Sequence, residues 1–176
     1  MSKQNQSELH HVVIVGGNAG GLELATQLGD LLGKSQKARI TLVDQKLTHI
    51  WKPLLHEIAA GTMNTHDEGT NYFAHSAKHH YEFILGRLDK VERDQKQIIL
   101  AKSQASKYEQ TNETLTLSYD TLILAVGSVS NDFNTTGVKE FCHYLDTPTQ
   151  AEIFQQDLLH LYLDAQNQNS DRELHI

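Results

Sequence analysis

Residues Val12–Gly21, VVIVGGNAGG, set four consecutive apolar residues directly against a run rich in glycine. Val12-Val13-Ile14-Val15 is β-branched throughout and carries no polar residue, which reads as a short strand buried on both faces. Gly16-Gly17-Asn18-Ala19-Gly20-Gly21 reads as a tight turn. Beyond it, Leu22, Ala25, Leu28 and Leu32 recur at helical spacing up to Gly33. Arg39–Val43 (RITLV) is a second apolar strand and stops at Asp44. Strand, glycine turn, helix and strand form the first half of a βαβ unit, whose strands run parallel through a right-handed crossover. The fold class expected is α/β with a parallel central sheet.

A strand that enters a helix through glycines aims several backbone N–H groups at one point, and the helix dipole adds about half a positive charge there. Gly16 permits the turn, and Gly21 lets the helix lie close against the strand. In the dinucleotide-binding pattern G-x-G-x-x-G the middle glycine leaves room for a pyrophosphate; in this chain that position is Asn18. Asparagine tolerates left-handed dihedrals at a cost of about 1 kcal/mol. Its side chain must then clear the phosphate, so weakened binding is expected. Asp44 stands 23 residues after Gly21, at a strand end. A carboxylate there accepts hydrogen bonds from ribose hydroxyls and disfavours a 2′-phosphate. Taken alone, these features also suit a plain structural turn and an ordinary strand-ending aspartate.

Farther along, residues 45–70 are irregular, with one short helix between Pro53 and Gly61. Asn71–His80 reads as another helix. Glu82–Leu100 reads as strands joined by polar turns (FILG, DKVERD, KQIIL), an antiparallel β-meander inserted before a third buried core strand, Thr121–Val126 (TLILAV). Lys102–Ser118 has no strong apolar period and reads as a surface hairpin loop. Thr147-Pro148 supplies an N-cap and a first helical position. The helix that follows carries the stripe Ala151, Phe154, Leu158 and Leu161, expected against the sheet. Residues 1–10 form a frayed polar lead-in, and Ala165–Arg172 a linker. Glu173–Ile176 resembles Glu8–His11, the approach to the first strand, so the chain is expected to be a fragment of a longer protein.

Composition excludes several classes. With 176 residues, 39% hydrophobic and only 2 Pro, the chain is neither disordered nor collagen-like. A single cysteine, Cys142, excludes an internal disulfide and a zinc ribbon, and is expected to be a small buried residue. A net charge of −7 without basic clusters leaves no footprint for nucleic acid. No apolar run is long enough to span a bilayer, and Met1–His11 is no signal peptide, so the cytoplasm is the expected compartment. Among 11 His, His75, His79 and His80 cluster without an acidic or cysteine complement. They read as surface residues, and no metal site is expected. No catalytic residue is assigned.

Val12–Glu23 (VVIVGGNAGGLE), Trp51–Ala60 (WKPLLHEIAA) and Tyr119–Val138 (YDTLILAVGSVSNDFNTTGV) together resemble type II NADH:quinone oxidoreductases, single-chain flavoproteins with two dinucleotide-binding domains. The resemblance runs over residues 9–164 in order. It implies a Rossmann-like FAD/NAD(P)-binding domain in residues 1–164, incomplete, with 165–176 leading into an absent NADH-binding domain. It places the FAD pyrophosphate on Gly16, Gly17, Asn18, Ala19, Gly20 and Gly21, and the ribose on Asp44 with Gln45 beside it. Lys52 and Pro53 fall next to the flavin, the backbone of Leu88 at the adenine, and Ala125, Val126 and Gly127 under the cofactor. The activity implied is hydride transfer from NADH to FAD and on to a membrane quinone, by a peripheral enzyme on the cytoplasmic membrane face. His56-Glu57 becomes a candidate proton relay near the flavin. Lacking the second glycine turn, the chain by itself is expected to be inactive. No cysteine lies between Asp44 and Thr70, so disulfide chemistry is excluded. An unpaired sheet edge would favour a homodimer. Two alternatives stay open: a non-catalytic nucleotide-binding module, and an NAD-dependent oxidoreductase with one Rossmann domain.

Overall fold

Alternation along the first strand explains its composition: Val12 and Ile14 pack into one apolar cluster and Val13 and Val15 into another, so neither face of the strand meets water. The computed structural model describes residues 9–63, 69–101 and 114–167. In chain order the elements are β1 (His10–Val15), α1 (Ala19–Leu28) with a π turn (Gly29–Gly33), β2 (Ala38–Asp44) and β3 (Thr48–His49). A 3-10 turn (Lys52–Leu54), α2 (Leu55–Ala59), β4 (Thr70–Asn71) and α3 (Tyr72–Lys78) follow. Then come β5 (Glu82–Leu85), β6 (Arg87–Glu92), β7 (Gln97–Ala101), β8 (Leu115–Ser118), β9 (Thr121–Leu124), α4 (Val138–Phe141) and α5 (Pro148–Asn167). The chain divides into two compact units, Met1–His49 with Thr70–Gly127, and Ile50–Gly69 with Ser128–Ile176.

The first unit is built on a four-stranded parallel sheet in the order β5-β2-β1-β9. Its register sets Val12 against Ile40 and Thr121, and Ile14 against Leu42 and Ile123. Ala25 of α1 and Tyr72 of α3 close one face. Ile98 and Leu100 of the antiparallel sheet β6-β7-β8 close the other. The parallel α/β core and the meander are therefore as expected, with three corrections. Glu82–Leu85, which the sequence pattern puts in the meander, pairs parallel with β2, because a helix between two strands returns the second one parallel to the first. Thr121–Leu124 is consequently the fourth strand, at the sheet edge, and Leu124 is 57% exposed where a buried strand is expected. Residues 115–118 are a strand and no loop: Leu115 and Leu117 alternate with Thr116 and Ser118, a two-residue period that the polar members mask. Residues 102–113 of that expected loop lie outside the described residues.

The second unit is helical. Ala151 of α5 is fully buried against Leu55, Ile58 and Ala59 of α2, with Ile50, Met63 and Phe154 around them. The expected α5 stripe thus finds its partner in α2, which is only five residues long. Leu161 lies beyond its reach and is 46% exposed. The N-terminus of α5 is a capping box: Thr147 Oγ1 accepts from the Gln150 N–H at 3.2 Å, and Gln150 Oε1 accepts from the Thr147 N–H at 3.0 Å. The helix runs through Asn167, so residues 165–167, expected in a linker, are helical. Residues 168–176 lie outside the described part, as do 1–8. Cys142, just past the short α4, is exposed, contrary to its expected burial. Among the described residues no helix is long and apolar enough to cross a membrane.

These contrasts are measurable. Ile14→Ala is expected to lower the urea-unfolding free energy by about 2–5 kcal/mol, since Ile14 is fully buried at the sheet centre. Leu124→Ala, on the exposed edge, should change it by no more than about 0.5 kcal/mol.

Candidate functional site

The turn between β1 and α1 has no room for a Cβ at residues 16 and 21, and at position 18 its backbone differs from the expected left-handed one. Gly16 has φ +104°, and a Cβ there would stand 2.2 Å from the Ala125 carbonyl oxygen. A Cβ on Gly21 would stand 1.8 Å from the Gly16 oxygen, so helix and strand approach through bare backbone. Asn18 is not left-handed: φ −67°, ψ −178° is extended backbone, and the residue is the N-cap of α1. Its Oδ1 accepts from the Gly21 N–H at 3.4 Å, and its Nδ2 donates to the Ala125 carbonyl. The side chain is thus turned into the turn's own framework. Ala19 and Gly20 are exposed, and a Cβ on Gly20 would meet nothing closer than Asn18 Oδ1 at 3.8 Å. The Ala19 and Gly20 amides find no acceptor among the described residues, as the first turn of a helix requires. This open, donor-lined cradle fits an anionic group.

Buried Gly17 fixes the cradle's inner wall through both of its backbone groups. Its N–H donates to Asp44 Oδ2 at 2.6 Å, while Asp44 Oδ1 accepts from the Lys46 N–H at 2.8 Å. Each carboxylate oxygen keeps a further lone pair for a hydroxyl donor. Gln45, between the two, is exposed. The Gly17 carbonyl accepts from the Tyr72 hydroxyl at 2.5 Å. Burial, then the Asp44 carboxylate, push the Tyr72 phenol well above its ordinary range, so it stays a donor. Burial lowers the His49 imidazole, against the opposing pull of Asp44 and a hydrogen bond to the Gly17 backbone. Neither Tyr72 nor His49 is marked by the sequence pattern.

Ala125 and Gly127 are brought to the same turn. The Ala125 N–H donates to the Val15 carbonyl at 2.7 Å, and Gly127, at φ +77°, would place a Cβ 3.0 Å from Asn18 Nδ2. Val126 between them is 66% exposed. Leu88 pairs with Leu100, and its side chain packs with that buried cluster. It stands two residues past Gly86, whose N–H donates to the Asp44 carbonyl at 2.8 Å. Lys52 and Pro53 belong to the second unit. There the Lys52 ammonium donates to Asp146 Oδ1 at 2.7 Å and to the Ser128 carbonyl at 2.8 Å. Lys52 first, then the Ser130 N–H, hold the Asp146 carboxyl below its usual value. Pro53 is exposed in the 3-10 turn. His56 and Glu57 form a pair at 3.4 Å. His75 and His79 stack at 4.3 Å, and His79 Nδ1 lies 3.0 Å from Asp30. Among the described residues no group of three or more His, Cys, Asp or Glu is placed to hold a metal ion.

Residues 10–168 match the profile of the family Pyridine nucleotide-disulphide oxidoreductase. A type II NADH:quinone oxidoreductase of Haemophilus influenzae is 46% identical over 155 residues, 88% of this chain and 35% of that protein. One from Staphylococcus aureus is 25% identical over 167 residues, 94% of this chain and 38% of that protein. A solved structure of NDH2 from Plasmodium falciparum in complex with RYL-552 superposes with a TM-score of 0.73 at 20% identity, covering 93% of this chain and 31% of that one; it shows the shared fold. The chain spans just over a third of the length of the curated relatives it matches.

Two measurements check this geometry. Asn18→Ala should cost about 1 kcal/mol of stability without ligand, through the lost cap. Because the folded Asp146 carboxyl titrates below 3.8, its bond to Lys52 stabilises the second unit above that pH and fades as pH falls through the folded value. Lys52→Met should therefore be less stable than the unsubstituted chain at about pH 6, with the gap closing in acid, as read from urea midpoints across pH.

Proposed function

The chain belongs to the pyridine nucleotide-disulphide oxidoreductase family, and on that premise we propose that it is the FAD-binding portion of a type II NADH:quinone oxidoreductase. The observation that carries the proposal is the cradle itself: amides at Ala19 and Gly20 that find no acceptor among the described residues, open space at Gly20, and a carboxylate at Asp44 tied to the same turn through Gly17. In this reading the N–H groups of Asn18, Ala19 and Gly20 take the pyrophosphate of FAD. Asp44 accepts from the ribose hydroxyls, with Gln45 beside it. Ala125–Gly127 pass beneath the cofactor, the Leu88 backbone meets the adenine, and Lys52 and Pro53 serve the flavin end. When bound, FAD supplies the hydride-accepting ring, which no amino-acid side chain can replace. The chain's own residues bind and orient.

The 46% identity over most of the chain supports the assignment, and the modest coverage of the relative supports a division of labour. Residues 1–164 form the FAD-binding part, and 165–176 lead toward an NADH-binding domain in a longer protein. That longer protein would take hydride from NADH, pass electrons to a membrane quinone, and sit peripherally on the cytoplasmic face, with a homodimer as its association. The 176 residues alone would not turn over. A cysteine-pair mechanism is foreign to this chain, which has one Cys.

The chain is expected to acquire visible flavin absorption after reconstitution with FAD, and Asp44→Ala to weaken uptake about tenfold or more. Absence of flavin uptake by both this chain and the longer protein would refute the proposal, and steady NADH:quinone turnover by the 176 residues would refute the division of labour.

A further inference from the structure

We propose that Tyr72 is a positioning residue for the diphosphate site: its hydroxyl holds the Gly17 carbonyl inside the first unit and so turns the Asn18 N–H outward, toward a phosphate oxygen of a bound nucleoside diphosphate. The inference rests on the reading that this turn receives the diphosphate of FAD.

A trans peptide points its C=O and the following N–H in opposite directions, and no cis peptide occurs among the described residues. With the Gly17 carbonyl bonded inward to Tyr72 at 2.5 Å, the Asn18 N–H faces the other way, beside the exposed amides of Ala19 and Gly20. Released, that carbonyl could swing to present its negative end to the phosphate. Tyr72 is built to prevent this. Its ring is 2% exposed and stacks on Phe83 at 4.9 Å, and Phe73 meets Phe83 edge-on at 5.0 Å. Its own N–H donates to the Leu47 carbonyl at 3.0 Å, and the Asn71 side chain caps the helix at the Ala74 N–H, 3.1 Å away. The hydroxyl therefore has little freedom. It also explains a glycine that the dinucleotide pattern does not demand: a Cβ on Gly17 would lie 2.4 Å from the Tyr72 oxygen.

The test displaces bound FAD from the full chain with ADP and, separately, with adenosine, followed by flavin fluorescence. Tyr72→Phe keeps the ring and removes only the donor. It should weaken FAD and ADP about fivefold and leave adenosine within about twofold. Equal affinity for ADP in both proteins overturns the inference. A parallel loss for ADP and adenosine also overturns it, because that marks a merely structural role. If Tyr72→Phe does not fold, Phe83→Leu serves instead: it keeps the hydroxyl but removes its ring support, and should shift the ADP-to-adenosine preference the same way by a smaller factor, an unchanged preference counting against the inference. Failure of both the unsubstituted chain and the longer protein to bind FAD or ADP removes the flavin reading itself, and this inference with it.

Discussion

A residue buried at the mouth of a helix must have both its backbone donor and its backbone acceptor satisfied by protein, and at Gly17 neither partner comes from the turn. Leaving one such group unpaired costs about 1–3 kcal/mol. Asp44 at the end of β2 takes the N–H, and Tyr72 at the start of α3 bonds the C=O. The turn, the second strand and the third helix are thereby one construction. α3 in turn is located by the β3–β4 pair and by the Leu47 carbonyl just before it. Displacing any of them frees a polar group that has no water to turn to.

Polar contacts elsewhere carry less. Arg39 and Glu82 meet at 2.7 Å across β2 and β5, but both side chains are more than a third exposed, so the pair is screened and contributes little. The Asp44 carboxylate differs in kind: it is charged, partly buried and bonded to two backbone amides. Charge-assisted bonds of that sort are about twice as strong as neutral ones. Rigidity in the first unit therefore gathers at the turn that also offers the anion-binding amides. Order is supplied by buried bonds on the inner side, and open donors are left on the outer side.

Residues 12–44 were legible because each local signal agreed with the others: an all-apolar strand, glycines where no Cβ fits, helical spacing, and an aspartate at the next strand's end. Thr147-Pro148 was legible as a helix start for the same reason, while the returning bond from Gln150 is seen only in the fold. What escaped was set by partners distant in sequence. Nothing within Glu82–Leu85 distinguishes a meander strand from a parallel one; the choice is made by α3 before it. Thr121–Leu124 has the composition of a buried strand, yet its place at the sheet edge comes from topology. Tyr72 follows an N-cap asparagine and interrupts no pattern, so only the folded chain reveals its reach across 55 residues to Gly17. Asn18 stands out by its position in the glycine run, but its extended backbone follows from the cap and the Ala125 contact, which only the fold supplies.

The asparagine shows how one departure from a pattern is absorbed. A glycine at position 18 would leave the α1 N-cap without a side-chain acceptor, and would have nothing to send toward the segment after β9. Asn18 supplies both, accepting from Gly21 and donating to Ala125, in an extended backbone that any residue adopts. The geometry has one condition. Its amide nitrogen lies 3.0 Å from where a Cβ on residue 127 would stand, and residue 127 is a glycine at φ +77°. Gly127 is thus required twice, by its own backbone and by the neighbouring amide. With Gly127 in place, the side chain at position 18 is drawn onto the Ala125 carbonyl, and the outer amides of Ala19 and Gly20 stay clear. The substitution moves bulk along the inner wall of the turn and leaves the donors on its outer face intact, so the loop can depart from the glycine pattern and still offer the backbone groups that make such a turn useful.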